Sequence, residues 1–217
     1  MSAADFYTRW ADLYDHVSRS VPGVAPLRRQ TARALDLELG DTVVEMGCGT
    51  GANVAYLREQ VGPEGVVVGV DFSEGVLRRA REHVEREGWE NVHLVRGDAT
   101  VPPLRGADAV VATFVVGMFA DPEAVVEGWC AFVGSGGRIA LLNAASSRRI
   151  YGPLVNLPFR AFVYLSTPHK RRLDEPAHEL LDRRIAEGHR ALEARCERTV
   201  HAEGALGLVR LSAGRVL

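Results

Sequence analysis

The stretch DTVVEMGCGTGANVAYL, which runs from Asp41 to Leu57, decides how the rest of the chain is interpreted. Its first part, Thr42–Met46, is a short apolar run rich in β-branched residues, which suits a strand buried on both faces. Three glycines follow within the next five residues, and Ala52–Gln60 then carries apolar residues at roughly helical spacing. The stretch therefore predicts a strand, a glycine turn and a helix.

The glycine turn predicts a binding site for a ligand with a negatively charged group. Gly47, Gly49 and Gly51 allow a tight turn, and they let the backbone approach a ligand where a Cβ would clash. The free N–H groups at the start of the next helix favour a carboxylate or a phosphate. Gly47, Gly49 and Ala52 also satisfy the dinucleotide pattern G-x-G-x-x-G/A, so NAD is one candidate ligand.

The fuller string E-x-G-x-G-x-G, which begins at Glu45, resembles the first motif of the class I S-adenosylmethionine (SAM) methyltransferases. The resemblance implies that Glu45 closes the strand and that the glycines cradle the methionine part of SAM. On this motif alone, both SAM and NAD stay open.

A second acidic position follows the next predicted strand, Val66–Val70. Asp71 lies about twenty residues past the glycines, where a carboxylate can accept hydrogen bonds from both ribose hydroxyls of either cofactor. Its neighbour Phe72 could lie on the adenine face or pack in the core, and both interpretations stay open. Ser73 is expected to cap the charged helix Glu74–Glu87.

Two further segments resemble the same family. Gly97-Asp98-Ala99 follows a predicted strand, and the resemblance implies that Asp98 lies near the adenine amine, with Ala99 against the ring. A role for Asp98 as a turn residue is the alternative. The segment Ala107–Phe114 resembles the fourth strand of the family, which implies that Thr113 lies where the methyl group leaves.

The order of predicted elements indicates an α/β fold. Five strands alternate with helices, which is typical of a doubly wound parallel sheet. Two more strands, Glu197–Glu203 and Gly207–Ala213, follow the last helix without a further crossover. We expect one domain with a mostly parallel, seven-stranded, Rossmann-like sheet that ends in an antiparallel hairpin. Such a hairpin resembles the class I methyltransferases, whereas a typical NAD-dependent dehydrogenase would continue with another parallel unit.

Residues 1–40 are expected to form a helical cap. Apolar residues recur at helical spacing over Ala3–Ser18, which predicts an amphipathic helix. The phrase WADLYD resembles the N-terminal "Y-D" segment of the quinone and phospholipid methyltransferases. The resemblance implies that Tyr14 folds over SAM, although a purely packing role for this helix stays open.

Residues 143–178 interrupt the alternation of strands and helices with an apolar stretch that contains scattered basic residues. Three interpretations stay open: a packed core segment, a lid that forms an apolar substrate pocket, and a membrane-surface patch. His16 and His169 are candidate bases near the pocket mouth, and Tyr151 and Tyr164 could orient an acceptor. No obligatory catalytic motif is recognisable, so the catalytic residues stay unassigned.

Composition excludes several classes of protein. The 217 residues have a formal net charge of −2, so no overall field attracts nucleic acid. Cys48, Cys130 and Cys196 lack metal-ligand spacing and are expected to be reduced thiols of a cytoplasmic protein without a bound metal. The first ten residues lack the apolar core of a secretory signal, and no run of about 20 apolar residues could span a membrane.

These observations predict an enzyme that transfers a methyl group from SAM to a small, hydrophobic acceptor such as a quinol, a phenol or a lipid. Peripheral contact with a membrane is compatible with such an acceptor. The alternatives are a non-catalytic SAM-binding protein and an NAD-dependent oxidoreductase. The oligomeric state and the position of methylation on the acceptor are not predicted.

Overall fold

The computed structural model describes residues 24–167 and 174–217. The helix predicted over Ala3–Ser18 lies outside these residues, and so do Tyr14, His16 and His169. The strands are β1 Thr42–Met46, β2 Val66–Asp71, β3 Val92–Arg96, β4 Ala109–Thr113, β5 Arg138–Ala144, β6 Cys196–Gly204 and β7 Val209–Val216. The α-helices are α1 Val24–Ala34, α2 Val54–Val61, α3 Glu74–Glu87, α4 Pro122–Val133, α5 Gly152–Ser166 and α6 Ala177–Arg195.

The seven strands form one sheet in the order β3-β2-β1-β4-β5-β7-β6. The first five strands are parallel, and β7 runs antiparallel to both β5 and β6 between which it lies. The predicted fold class is therefore confirmed, including the antiparallel strand inside the sheet. Because all five parallel strands point the same way, the segments that follow them share one edge of the sheet, where open α/β sheets bind ligands.

The central strand β1 is buried on both faces, as its apolar run predicts. Val44 and Met46 pack in the core that contains Trp129 of α4, whereas Val43 packs in a second core with Leu57 of α2. Neighbouring residues of a strand point to opposite faces, so this alternation places helices on both sides of the sheet. Both cores hold the carboxyl ends of β1, β2 and β4 in fixed positions.

The helix caps agree with the sequence. Ser73 occupies the N-cap position of α3, as expected. Asp121 is the N-cap of α4, where its Oδ1 accepts a hydrogen bond of 3.0 Å from the backbone N–H of Ala124, and Pro122 follows at the first helical position. Both helices therefore begin directly after a residue type that favours the N-cap, and the side chain of Asp121, unlike that of Ser73, forms the capping hydrogen bond.

The main difference from the sequence analysis lies in residues 143–178. No helix was predicted in this apolar stretch, but Gly152–Ser166 forms the 15-residue helix α5. Pro153 fits the first turn of this helix, whereas Pro158 lies inside it and removes one backbone donor. The two prolines resemble turn signals, and they concealed the helical spacing of the apolar residues.

Smaller differences concern the ends of elements. The helix α1, Val24–Ala34, is the part of the predicted helical cap that lies within the described residues. The last strand extends from Val209 to Val216, beyond the predicted Gly207–Ala213, because all eight residues pair with β5 or β6. No helix of the described residues combines the length and the apolarity that crossing a membrane requires.

Candidate active site

The glycine turn after β1 has a backbone conformation that side chains rarely adopt. Gly47, Gly49 and Gly51 have φ angles of 70°, 55° and 79°. A Cβ on Gly47 would lie 2.9 Å from a methyl carbon of Val115, so this glycine is needed for packing against the segment after β4. At Gly49, no atom of the described residues lies within 4 Å of the Cβ position. The turn is therefore closely packed at Gly47 and open at Gly49.

Backbone hydrogen bonds attach this turn to β2. The N–H groups of Gly47 and Cys48 both donate to the carbonyl oxygen of Val70, at 2.8 and 3.0 Å. The Cys48 side chain occupies the space over Gly69, where a Cβ would lie 2.8 Å from its sulfur atom. Burial raises the pKa of the Cys48 thiol, so this cysteine is a neutral packing residue.

Asp71 connects the end of β2 to the glycine turn. Its Oδ2 accepts a hydrogen bond of 3.0 Å from the backbone N–H of Gly49, and its Oδ1 accepts one of 2.9 Å from the N–H of Ser73. Burial raises the pKa of Asp71, and these two hydrogen bonds oppose the shift. Each carboxylate oxygen has a second lone pair, so Asp71 can accept further hydrogen bonds from a ligand. The Phe72 side chain is 44% exposed, so it is not a core residue.

A buried polar cluster lies beneath the turn. The Asn53 side-chain amide donates to Oε1 of Glu45 and, at 2.9 Å, to the hydroxyl of Thr113. Arg28 of α1 donates to Oδ1 of Asn53 at 2.8 Å. Glu45 is 1% exposed, and its Oε2 has no hydrogen-bond partner among the described residues. The cluster joins α1, β1, α2 and β4 at the carboxyl edge of the sheet.

Glu45 has a strongly altered acidity in this cluster. Burial raises its pKa from 4.5 to about 7, although the hydrogen bond from Asn53 and the positive charge of Arg28 oppose the shift. Near neutral pH the carboxyl group therefore exists in both protonation states. Groups with such shifts beside a cleft are candidates for a functional role.

The chain leaves β4 through a strained residue. Phe114 has a φ of 60°, and its N–H donates to the carbonyl oxygen of Leu142 at 2.7 Å. The guanidinium of Arg28 lies over the Phe114 ring at 5.2 Å from its centre. Thr113 itself is buried, and its hydroxyl accepts hydrogen bonds from Asn53 and Arg28. The hydroxyl of Thr113 therefore forms hydrogen bonds with other protein side chains.

Asp98 and Ala99 follow β3, at the same edge as Asp71. Asp98 is exposed, and its Oδ1 accepts hydrogen bonds of 2.8 Å from both the N–H and the hydroxyl of Thr100. Ala99 is buried, and its carbonyl oxygen accepts a hydrogen bond of 2.7 Å from the indole N–H of Trp129. Asp98 thus forms the turn contacts that were one of the two expectations for it.

The two candidate tyrosines lie far apart on α5. Tyr151 is at the N-cap position, and Tyr164 lies thirteen residues later, which corresponds to roughly 20 Å along a helix. One substrate atom therefore cannot contact both side chains. The structure gathers Glu45, Gly47, Gly49, Asp71 and Thr113 around the turn, but it does not bring Tyr151 and Tyr164 together.

Three polar residues near this edge were not predicted from the sequence. Arg28 and Asn53 complete the cluster around Glu45, and His189 of α6 is held between Asn143 and Ser212 at 3.2 and 2.7 Å. Burial lowers the pKa of His189 to about 4, so its ring is neutral. The helical spacing of α6 could have indicated that His189 is buried, because His189 shares a helix face with the buried Ile185.

Comparisons with known proteins identify the family. Residues 43–137 match the family described as "Methyltransferase domain". A phosphatidylethanolamine N-methyltransferase of Cereibacter sphaeroides is 37% identical over 151 residues, which cover 68% of this chain and 70% of that protein. A demethylmenaquinone methyltransferase of Shouchella clausii is 32% identical over 120 residues, which cover 54% and 51%. A SAM-dependent methyltransferase from Aquifex aeolicus has the same fold, with a TM-score of 0.61 at 19% identity over 88% of this chain and 89% of that one.

The chain therefore belongs to the class I SAM-dependent methyltransferases, a family of enzymes whose cofactor is SAM. The resemblance that begins at Glu45 is thereby confirmed. The chain spans about half the length of several curated relatives that it matches.

Proposed function

We propose that this protein transfers a methyl group from SAM to a small, apolar acceptor such as a quinol, a phenol or a lipid. The observation that carries the proposal is the hydrogen bond between Gly49 and Asp71 at the carboxyl edge of the sheet. It brings the open glycine position and the carboxylate of β2 to one place, which suits a ligand that has both a charged end and a ribose.

The residues around the turn fit SAM. The methionyl part would lie along Gly47, Gly49 and Gly51, where the missing Cβ of Gly49 leaves space for it. The ribose hydroxyls would donate to Asp71, whose oxygens keep free lone pairs. The adenine would lie between the exposed Phe72 and the Asp98–Ala99 turn. Tyr14 is a further proposed contact, and it lies outside the described residues.

Glu45 has a different role in this proposal. The side chain is buried beneath the glycines and is attached to Asn53, so it supports the floor of the site. Together with Arg28 and Thr113 it fixes the ends of β1 and β4 relative to each other. Thr113 therefore contributes to the methyl exit through the position of its backbone.

The chemistry requires mainly positioning. When bound, SAM supplies a methyl group that is already activated for displacement. The segment that follows Thr113 would hold the acceptor in line with that group, and such alignment can contribute roughly 7–11 kcal/mol to lowering a barrier. The strained Phe114 fixes the direction of the chain at this point. No general base is assigned to the reaction.

The nature of the acceptor is inferred from two observations. The names of two relatives specify methylation of a menaquinone precursor and of a phospholipid, which both carry long apolar hydrocarbon chains. The helix α5 follows β5 at the carboxyl edge and exposes apolar side chains, including Leu154 and Leu157. Because such acceptors concentrate in membranes, the proposal includes contact of this protein with a membrane surface.

The experiment measures SAM binding by calorimetry and then turnover with a panel of quinols, phenols and lipids. The Asp71→Asn variant should bind SAM about 10- to 100-fold more weakly, because one ribose acceptor becomes an amide. Glu64→Gln is the matched control, since Glu64 is exposed in the loop before the amino end of the same strand. Binding without any turnover would favour a non-catalytic SAM-binding protein. Binding of NADH in place of SAM would overturn the proposal.

A further inference from the structure

Among the described residues, one face of the helix α5 is buried against the protein, and the opposite face is apolar and exposed. Gly152, Asn156 and Val163 are buried at a spacing of one to two turns, so they define the inner face. The outer face carries Leu154, Leu157, Pro158, Ala161 and Leu165, which are all exposed. Leu154, Leu157 and Leu165 are 80%, 72% and 65% exposed, and Ile150 in the preceding turn is 99% exposed. A surface helix normally has polar residues on its outer face, so this arrangement indicates a partner.

The charge of the surrounding segment is strongly one-sided. The described residues 143–167 contain three basic residues and no acidic residue, whereas the whole chain has a net charge of −2. The nearby Glu175 forms an ion pair with Arg183 at 2.5 Å. Arg160 is exposed on α5 itself, and Arg148 and Arg149 immediately precede the helix. Arg149 also contacts Glu203 at 2.8 Å. The partner of this apolar face is therefore expected to carry negative charge.

We infer that the outer face of α5 docks on the surface of a lipid bilayer that contains anionic headgroups. The exposed leucines would enter the boundary between headgroups and acyl chains, and the arginines would contact lipid phosphates. This inference rests on the part of the proposed function that places an apolar acceptor in a membrane. It does not require methyl transfer, so the two can be tested separately.

The position of α5 would bring the candidate active site close to a docked bilayer. The helix follows β5 at the carboxyl edge of the sheet, where the glycine turn and Asp71 lie. A cavity of about 450 Å³ lies between α5 and the start of α6, lined by Leu157, Ala161 and Pro176 together with the polar side chains of Arg160, Glu175 and His178. Docking through the outer face would bring this mainly apolar cavity to the bilayer. An acceptor could then pass from the bilayer into the cavity without crossing water.

A second copy of the chain fits this face less well than a bilayer. In a two-fold symmetric dimer, the basic residues around α5 of one copy would face the same basic residues of the other. Like charges across an interface oppose association. An anionic lipid surface instead satisfies both the apolar stripe and the arginines.

The test uses the full chain and vesicles of phosphatidylcholine, either alone or mixed with phosphatidylglycerol. The protein should float with the mixed vesicles, should bind weakly to neutral ones, and should be released by high salt. The Leu154→Glu/Leu157→Glu double variant should lose about tenfold or more in partition, because two apolar side chains no longer leave water. Arg160→Glu should weaken binding to the anionic vesicles only. Leu39→Glu is the matched control, since Leu39 is 80% exposed near the opposite edge of the sheet.

Equal flotation of the wild type and the double variant, or no flotation of the wild type, would overturn the inference. A dimer in gel filtration that the double variant dissociates would show that a second copy covers the face. Because Leu154 and Leu157 are exposed, thermal unfolding should confirm that the variant folds. SAM binding by the variant should be unchanged, so loss of docking with intact SAM binding would leave the proposed cofactor site standing.

Discussion

Gly49 and Asp71 are joined by a hydrogen bond of 3.0 Å from the backbone N–H of the glycine to the carboxylate of the aspartate. The two residues are 22 positions apart in the chain; Asp71 ends β2, and Gly49 lies in the turn after the neighbouring parallel strand β1. The contact fixes the position of the glycine turn relative to the end of β2. Any ligand that lies along the turn therefore also meets the carboxylate.

Substitution of Gly49 by alanine should affect ligand binding more than folding. The φ of 55° disfavours a Cβ by roughly 1–2 kcal/mol, but no described atom lies within 4 Å to clash with it. The new methyl group would occupy the space proposed for SAM, so SAM affinity in calorimetry should fall by about tenfold or more.

Gly88→Ala is the control for this experiment. Gly88 ends α3 with a φ of 66° and has equally open surroundings, so it should show the same loss of stability with unchanged SAM binding. Parallel losses of SAM affinity in both variants would show that backbone strain alone explains the effect.

The buried carboxyl group of Glu45 predicts a pH-dependent stability. In the unfolded chain this group ionises near pH 4.5, but in the folded protein it ionises only near pH 7. The folded state therefore loses stability as the pH rises from 4.5 to 7, by up to about 3 kcal/mol from this group.

The Glu45→Gln variant should not have this loss, because its amide stays neutral and can still accept the hydrogen bond from Asn53. Urea unfolding of both proteins at pH 5 and pH 8 measures the effect. The stability of the variant relative to the wild type should increase at pH 8. An unchanged difference between the two pH values would contradict the burial of a titrating Glu45.

The buried His189 predicts that the folded protein loses stability as the pH falls, which is the opposite of the effect of Glu45. Its pKa is about 4 in the folded protein and 6.5 in the unfolded chain, so the unfolded chain binds a proton first as the pH falls. Stability is therefore lost between pH 6.5 and 4, and the maximal contribution of this group is about 3 kcal/mol. His189→Gln should reduce that loss in thermal unfolding, whereas His93→Gln on the exposed part of β3 should leave it unchanged.

The hydrogen bond between Asn53 and Thr113 should appear as a coupling energy. A double-mutant cycle with Asn53→Ala and Thr113→Val should give about 0.5–3 kcal/mol, because the two buried groups share one cluster. The same cycle with Thr100→Val should give additive effects, since Thr100 bonds to Asp98 at a distant turn. Additivity in both cycles would show that the cluster does not act as a unit.

The parts of the site that could be predicted are those encoded in a few consecutive residues. The E-x-G-x-G-x-G string predicts its own turn, and Asp71 ends a recognisable apolar strand, so both positions follow from local chemistry. Arg28 could not be found in this way, because it contacts Thr113 across 85 positions and lies in a helix with two other arginines. Such contacts depend on how α1 packs on the sheet, which periodicity does not specify.

The fold was predictable for a similar reason. Alternating strands and helices determine the parallel sheet, and the two strands after α6 determine the antiparallel end. The helix α5 was missed because Pro158 is tolerated at its exposed outer face, where a lost backbone donor costs little.

The order of strands also determines when the sheet can be completed during synthesis. On one side β5 pairs only with β7, whose residues Val209–Val216 are made after those of β6. The nascent chain on the ribosome therefore presents an unpaired apolar edge at β5 until these last residues emerge. Strand pairing across so many intervening residues is slow, so this edge is where premature association between nascent chains would begin.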